Sequence, residues 1–257
     1  MHKKYFFFDI DGTLTDGATH KIVPSAKETL DQLRENGHFV SIATGRAHYK
    51  ATPFTDSIGV KNVVCNGGGC LVIDGKVIDL QPLPLETSIQ MLEKADRDNI
   101  GWVLALEDND TVIMNDYKFL EQAGFRKELT TYVYDPTLDY HSLNQIMKMY
   151  LSYTPQQEKY LPWINDIGRL RMFDGYVIYQ YDAKKDGIIR MMNYLNAPIE
   201  DVVVFGDDTN DLVMFSDAWT SIAMGNAKQE LKDKATYVTD KNINDGIMKA
   251  CKHFGWI

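Results

Sequence analysis

Cysteine is scarce, with three in 257 residues. That excludes a disulfide framework. Cys65 and Cys70 bracket Asn66-Gly67-Gly68-Gly69 with no histidine or further cysteine nearby, so a zinc site is not expected. Cys65 closes an apolar run and reads as a buried thiol. Positive charge is also short: 27 Lys and Arg stand against 36 Asp and Glu, a formal net charge of -9. With no basic stripe, a nucleic-acid partner is not expected. A local electropositive site could still take a small anion. Long hydrophobic runs are missing, since Phe6-Phe7-Phe8 runs straight into Asp9. Neither a spanning helix nor a secretory leader is expected, so no membrane partner, and a reducing cytoplasm is the expected location. No internal repeat or low-complexity segment is visible. What remains is an ordinary globular balance, 44% hydrophobic and 25% charged, long enough for one large core or one large and one small. A monomer or weak homodimer is expected.

Against that background the stretch Phe6-Phe7-Phe8-Asp9-Ile10-Asp11-Gly12-Thr13 is informative. Asp9 and Asp11, two residues apart at the end of an apolar strand, share one side of an extended chain. Such an anionic focus is costly unless a cation or proton resolves the repulsion. Gly12 lets the chain turn and can face its amide toward an anion. Alone, this could be an Asx turn closing a strand. A second acid-tipped strand, Val202-Val203-Val204-Phe205-Gly206 followed by Asp207-Asp208-Thr209-Asn210-Asp211, argues that the two lie side by side in one sheet.

Strands are expected at 5–9, 38–43 and 61–65, then a hairpin over 71–80 turning at Asp74-Gly75. A helix should begin at Ser25, with Glu28 completing a capping box, carry Ala26, Leu30 and Leu33 inward, and stop at Asn36-Gly37. Strand–loop–helix alternation signals a parallel sheet. The pattern breaks at QPLPLE and returns after Lys184. The core is therefore 1–81 with 183–257, and 82–182 is an inserted α+β domain of about four strands and two or three helices. Within the insert, helices are expected at 86–98, 116–123 and 141–150, and strands at 102–106, 110–114, 130–134, 169–173 and 176–180. Tyr132, Tyr134, Trp163, Phe173, Tyr176 and Tyr179 read mostly as core or sheet-face residues. In the returning core, helices at 187–196 and 209–216 and strands at 202–205, 220–223 and 236–239 complete an α/β, doubly wound, Rossmann-like sheet.

Four expected strands end in polar signatures: DID, TGR, NGG and GDDTND. Ligands of open parallel sheets bind at that edge, and the combination describes a metal-assisted phosphate site. Asp9 is the candidate nucleophile, forming an aspartyl-phosphate. Magnesium suits an all-oxygen site and bridges two anions. Asp9, Asp207 and Asp211 are candidate metal ligands, joined by Asp11 through its backbone carbonyl. Asp11's side chain is the candidate general acid and base. Thr44 and the Gly45 amide could receive phosphoryl oxygens, or Thr44 could simply cap a helix. Asp208 could merely cap the helix that follows it. One of Lys184 and Lys185 should supply the counter-charge. Arg46 could reach substrate or form a surface salt bridge.

These residues resemble the haloacid dehalogenase superfamily. Asp9-Ile10-Asp11-Gly12-Thr13-Leu14 is similar to its first motif, Thr44-Gly45-Arg46 to its second, and Gly206-Asp207-Asp208-Thr209-Asn210-Asp211 to its fourth. Lys184 best matches the third-motif lysine, although Lys185 stands where glycine is usual. The insert's length and layout, with Asn66-Gly67-Gly68, Ala223-Met224-Gly225-Asn226-Ala227 and Asn244-Asp245-Gly246, resemble the Cof-type subfamily with its large α/β (IIB) cap. The resemblance implies a magnesium-dependent phosphatase of small phosphorylated metabolites, most often sugar phosphates. Pyridoxal phosphate or nucleotide hydrolysis, a phosphomutase, and a non-enzymatic phosphometabolite binder are the alternatives in that order. Gly12, Gly45, Arg46, Asn66 and Asn210 are the implied phosphate or substrate contacts, beside Asp9, Asp11, Thr44 and Lys184 in catalysis.

Overall fold

The structure, a computed structural model, describes residues 2–161 and 167–257; Trp163 lies outside the described residues. The chain forms two compact units, Met1–Leu80 with Ala183–Ile257, and Gln81–Asp182.

The first unit holds strands β1 (Tyr5–Phe8), β2 (Phe39–Ala43), β3 (Val63–Cys65), β4 (Cys70–Ile73) and β5 (Lys76–Leu80) before the insert. The insert contributes β6 (Trp102–Ala105), β7 (Thr111–Met114), β8 (Thr131–Tyr134), β9 (Lys148–Leu151), β10 (Gly168–Phe173) and β11 (Tyr176–Gln180). β12 (Val202–Gly206), β13 (Thr220–Ala223) and β14 (Tyr237–Val238) follow in the first unit. The α-helices are α1 (Pro24–Glu35), α2 (His48–Ser57), α3 (Leu85–Arg97), α4 (Lys118–Ala123), α5 (Pro155–Glu158), α6 (Lys184–Tyr194), α7 (Gln229–Lys234) and α8 (Gly246–His253).

The core sheet runs β14-β13-β12-β1-β2-β3-β4-β5. It is parallel from β14 to β3, and β4 and β5 are antiparallel. β1 is central because both of its faces are covered. Phe6 and Phe8 pack with Leu30 and Leu33 of α1 and Ile247 and Ala250 of α8. Phe7 packs on the other side with Ile188, Met191 and Met192 of α6. That double burial is why the strand is an unbroken apolar run rather than an alternating one. The chain winds outward from β1 through β2, then returns on the opposite side of β1 as β12. The crevice where the winding reverses is therefore flanked by the C-terminal ends of β1 and β12.

Ser25 does not cap α1. Val23 is the cap residue, no side chain caps the end, and Pro24 opens the helix with its preset φ. The segment after Asp208 is a single 3-10 stretch, Thr209–Met214, rather than an α-helix to 216.

The insert holds a six-stranded sheet in the order β10-β11-β9-β6-β7-β8, with β9 added to the five strands located in the sequence. α3 packs on one face with Trp102, Leu104, Met149 and Leu151. Phe119 of α4 packs on the other with Val103, Tyr150 and Tyr176. The expected helix over 141–150 is absent: a short turn at Tyr140–Ser142 leads into β9. Leu143, Ile146 and Met149 fall at helical spacing, but β9 lies between β6 and β11 and is bonded on both sides. Tertiary pairing overrides the local pattern. Of the insert's aromatics, Tyr176 and Tyr179 are buried and Tyr134 is exposed.

Candidate active site

The geometry starts from the β1–β12 pair. Phe8 is in register with Phe205, and the Asp9 amide donates to the Phe205 carbonyl at 3.0 Å. Asp9 therefore leaves β1 directly beside the end of β12, where Gly206 leads into Asp207. Gly12 has φ +89°, and a Cβ there would overlap the Asp207 carboxylate. The two acidic loops interlock only because residue 12 has no side chain.

Asp9, Asp207 and Asp211 each offer a carboxylate oxygen within 4.8 Å of the others. Lys184, at the start of α6, sits between two of them, its Nζ donating to Asp9 Oδ1 at 2.8 Å and to Asp211 Oδ1 at 2.7 Å. Asp9, Lys184 and Asp211 are all buried. Burial, with Asp211's charge next, pushes Asp9 up to about 7, against the opposing pull of Lys184. Burial also raises Asp207 to about 6, opposed by the Thr13 hydrogen bond and reinforced by Asp211 and Asp208. For Lys184, burial works against the ammonium, but Asp211 and Asp9 outweigh it and hold the group above the usual lysine range. One ammonium against three ionised carboxylates leaves two negative charges uncompensated, which one divalent cation matches. Hard, convergent, all-oxygen donors are the set that magnesium takes, so the residues present fit that ion.

Asp211 is fixed from its own loop. Its Oδ2 accepts from the amides of Asp207 (3.0 Å) and Asp208 (3.3 Å), while Asp208 caps the turn by accepting from the Thr209 amide at 2.7 Å. The carboxylate of Asp11 is not part of the cluster. Its side chain, about half exposed, pairs with Arg46, Nη2 lying 2.6 and 2.8 Å from its two oxygens and Nε 3.1 Å from Oδ2.

Thr44 is buried at the end of β2, and its Oγ1 accepts from the Arg46 amide at 3.2 Å. It does not cap α2, whose cap residue is Ala47. The Asn66 amide donates to the Arg46 carbonyl at 2.7 Å, tying the loops after β2 and β3 together. The Asn66 Oδ1 is buried without a hydrogen-bond partner. Gly45 is half-buried, and Asn210 is exposed on the turn after Asp208. Lys185 points elsewhere, its Nζ 5.8 Å from the centre of the Trp219 ring.

Three residues that tie these loops together were given no site role from the sequence. Thr13 is fully buried and donates to Asp207 Oδ1 at 2.9 Å, across 194 positions of chain. Asn226 Nδ2 donates to the Gly12 carbonyl at 2.9 Å and to Asp207 Oδ2 at 3.3 Å, while its Oδ1 accepts from the Asn242 amide. Arg190 of α6 donates to the Gly68 carbonyl at 2.8 Å. Thr13 and Asn226 stood in the motif stretches Asp9–Leu14 and Ala223–Ala227, the second at a strand end on the same edge. Arg190 carried no signal.

Comparison with known proteins places these features in company. The family described as haloacid dehalogenase-like hydrolase matches residues 6–251. "Putative phosphatase YkrA" of Bacillus subtilis (strain 168) is 33% identical over 258 residues, covering 99% of each chain. Pyridoxal phosphate phosphatase YbhA of Escherichia coli (strain K12) is 26% identical, covering 96% of this chain and 97% of its own. The solved structure of BT4131, a HAD subclass IIB sugar phosphatase, superposes with a TM-score of 0.77 at 28% identity, covering 99% of this chain and 100% of that one.

Proposed function

Because this chain belongs to the haloacid dehalogenase-like hydrolases, we propose that it is a Cof-type sugar-phosphate phosphatase using Asp9 as nucleophile and Asp11 as general acid and base. The coarse activity comes with the family and the acidic cluster: magnesium-dependent hydrolysis of small phosphate esters through a phosphoaspartate. The observation that carries the residue roles is the buried triplet Asp9–Lys184–Asp211 beside Asp207.

In this reading Asp9 Oδ attacks phosphorus, and the ester oxygen leaves with a proton from Asp11. In the second half Asp11 takes a proton from water as the water oxygen bonds phosphorus and the bond to Asp9 breaks. Lys184 holds Asp9 in place and balances charge gathering on the phosphoryl oxygens. Magnesium, when bound, screens the repulsion between the carboxylates and the incoming phosphate. Asp9, Asp207 and Asp211 would hold it. Thr44, the Gly45 amide and Asn66, at the neighbouring strand ends, would take the phosphoryl oxygens.

The sugar-phosphate preference is supported by the whole-length likeness to BT4131, insert included. The similarity to YbhA favours pyridoxal phosphate as the second reading. The insert, residues 81–182, sets the preference among esters, since the one acidic cluster found among the described residues belongs to the core.

Phosphate release from p-nitrophenyl phosphate, sugar phosphates, nucleotides and pyridoxal phosphate, with magnesium and with EDTA, tests the proposal. Hydrolysis should need magnesium, vanish in Asp9→Asn, and give its highest kcat/KM on a sugar phosphate. Full activity in Asp9→Asn would remove the nucleophile assignment. A first rank for pyridoxal phosphate would replace the substrate class.

A further inference from the structure

Arg46 closes on both carboxylate oxygens of Asp11. We infer that Arg46 is a positioning residue, orienting the Asp11 carboxylate toward the leaving-group oxygen. The inference rests on the reading of Asp11 as general acid and base.

Asp11 stands past the end of β1, with a side chain 55% exposed. A carboxylate so placed has two free torsions and water on most sides. Proton transfer to a leaving oxygen requires one orientation within hydrogen-bond reach. Among the described residues, Arg46 is the side chain that supplies it. Its Nε and Nη2 engage both carboxylate oxygens as a fork, which fixes the plane of the group as well as its direction. Oδ2 accepts from both Nε and Nη2, whereas Oδ1 accepts from Nη2 alone and keeps a second lone pair for the proton it handles.

The fork is itself held. The Arg46 amide donates to Thr44 Oγ1, and the Arg46 carbonyl accepts from the Asn66 amide. The guanidinium carbon lies 5.8 Å from the centre of the Phe54 ring of α2. The side chain is thus anchored at its root by the two neighbouring strand ends and flanked by an aromatic ring near its tip. Two further points separate positioning from the alternatives. An ion pair this exposed adds little to stability, so the fold does not account for it. And the Arg46 Nε and Nη2 groups are both turned to Asp11, so binding a phosphoryl group through them would break the fork.

The test is a double-mutant cycle of Arg46→Ala and Asp11→Asn, with Arg46→Lys as a second variant that keeps the charge but not the fork. The probes are glucose 6-phosphate, p-nitrophenyl phosphate and inorganic phosphate as inhibitor. Positioning predicts that Arg46→Ala lowers kcat on glucose 6-phosphate by roughly 10- to 100-fold, within the general acid's own contribution of about 10²–10⁴. KM and the inhibition constant of phosphate should move by less than about threefold, and Arg46→Lys should recover little. In the Asp11→Asn background, Arg46→Ala should cost nothing further. A raised KM and weaker phosphate inhibition at unchanged kcat would make Arg46 a substrate ligand and overturn the inference. So would an undiminished loss in the Asp11→Asn background. If Asp11→Asn alone keeps the parental rate on glucose 6-phosphate, the acid–base reading itself falls. If it is slow while Arg46→Ala and Arg46→Lys are not, only the positioning falls. Circular dichroism and melting temperatures of each variant separate either result from misfolding.

Discussion

Asp9 and Asp207 illustrate how individual residues make this site conditional on its ion. Both carboxyls are held above the usual range, to about 7 and about 6, with burial as the leading cause. Between the unfolded value near 4 and these folded values, the folded chain binds the extra protons. The stability they contribute is therefore complete at low pH and is lost as pH rises through about 6 and 7. Magnesium held by these carboxylates would need both groups ionised and would release those protons. The rise in melting temperature on adding magnesium should accordingly be small at pH 5 and large at pH 8. Carboxylates elsewhere, such as Asp31 and Asp98, affect both conditions alike and cancel in the difference. An equal rise at both pH values, or the same rise in Asp207→Asn, would separate the ion from this cluster. Gly12 gives a second expectation at this scale. A methyl group there meets the Asp207 carboxylate and must also adopt φ +89°. Gly12→Ala should reduce kcat/KM on any ester by at least about 100-fold, in keeping with the cost of displacing catalytic groups by an ångström. Steady-state kinetics on a folded variant would show it, and near-parental activity would mean that the two loops part easily.

Among elements, β9 shows what a strand can do without a strand-like sequence. Met149 and Leu151 face one side of the insert's sheet and Tyr150 the other, and all three are buried. The strand is bonded to β6 and β11 at once, so it carries the middle of that sheet. Met149→Ala should destabilise the insert by about 2–5 kcal/mol, the usual cost of a large-to-small change at a fully buried site. Denaturant titration should show an early transition for it. A loss under about 1 kcal/mol would mean that the side chain is not tightly enclosed. The turn after β12 makes the complementary case. Asp208 caps it and Asp211 reciprocates, so a six-residue 3-10 stretch presents the carboxylate of Asp211 inward.

At the scale of the whole molecule, chemistry and choice of ester are expected to separate. The core carries the converging carboxylates, the lysine and the strand-end loops. The insert is a second compact unit with its own two-faced sheet. Replacing residues 81–182 by the corresponding segment of BT4131 should reorder kcat/KM across a phosphate-ester panel while leaving the magnesium requirement intact. An unchanged order in a folded exchange variant would return the selection to the core. No helix among the described residues is long and apolar enough to cross a membrane.

Much of this was written along the chain. Continuous apolar runs at 5–8 and 202–206, each ending in aspartates, mark buried parallel strands, because a strand covered on both faces has no polar side to show. The turns at Asp74-Gly75 and Asn36-Gly37 were equally legible, since Asp74, Gly75 and Gly37 take a positive φ that few other residues accept. What the sequence could not decide was neighbourhood. Thr13 meets Asp207, Asn226 reaches Gly12, and Arg46 clasps Asp11 only once β12 and β2 are laid on either side of β1. Ser25 lost the helix start to Pro24 by a margin of local geometry, and the segment 141–150 became a strand because two others paired with it. Patterns of burial and turn chemistry are local and survive in one dimension. The partner of a polar side chain is fixed by strand order, which is a property of the folded sheet.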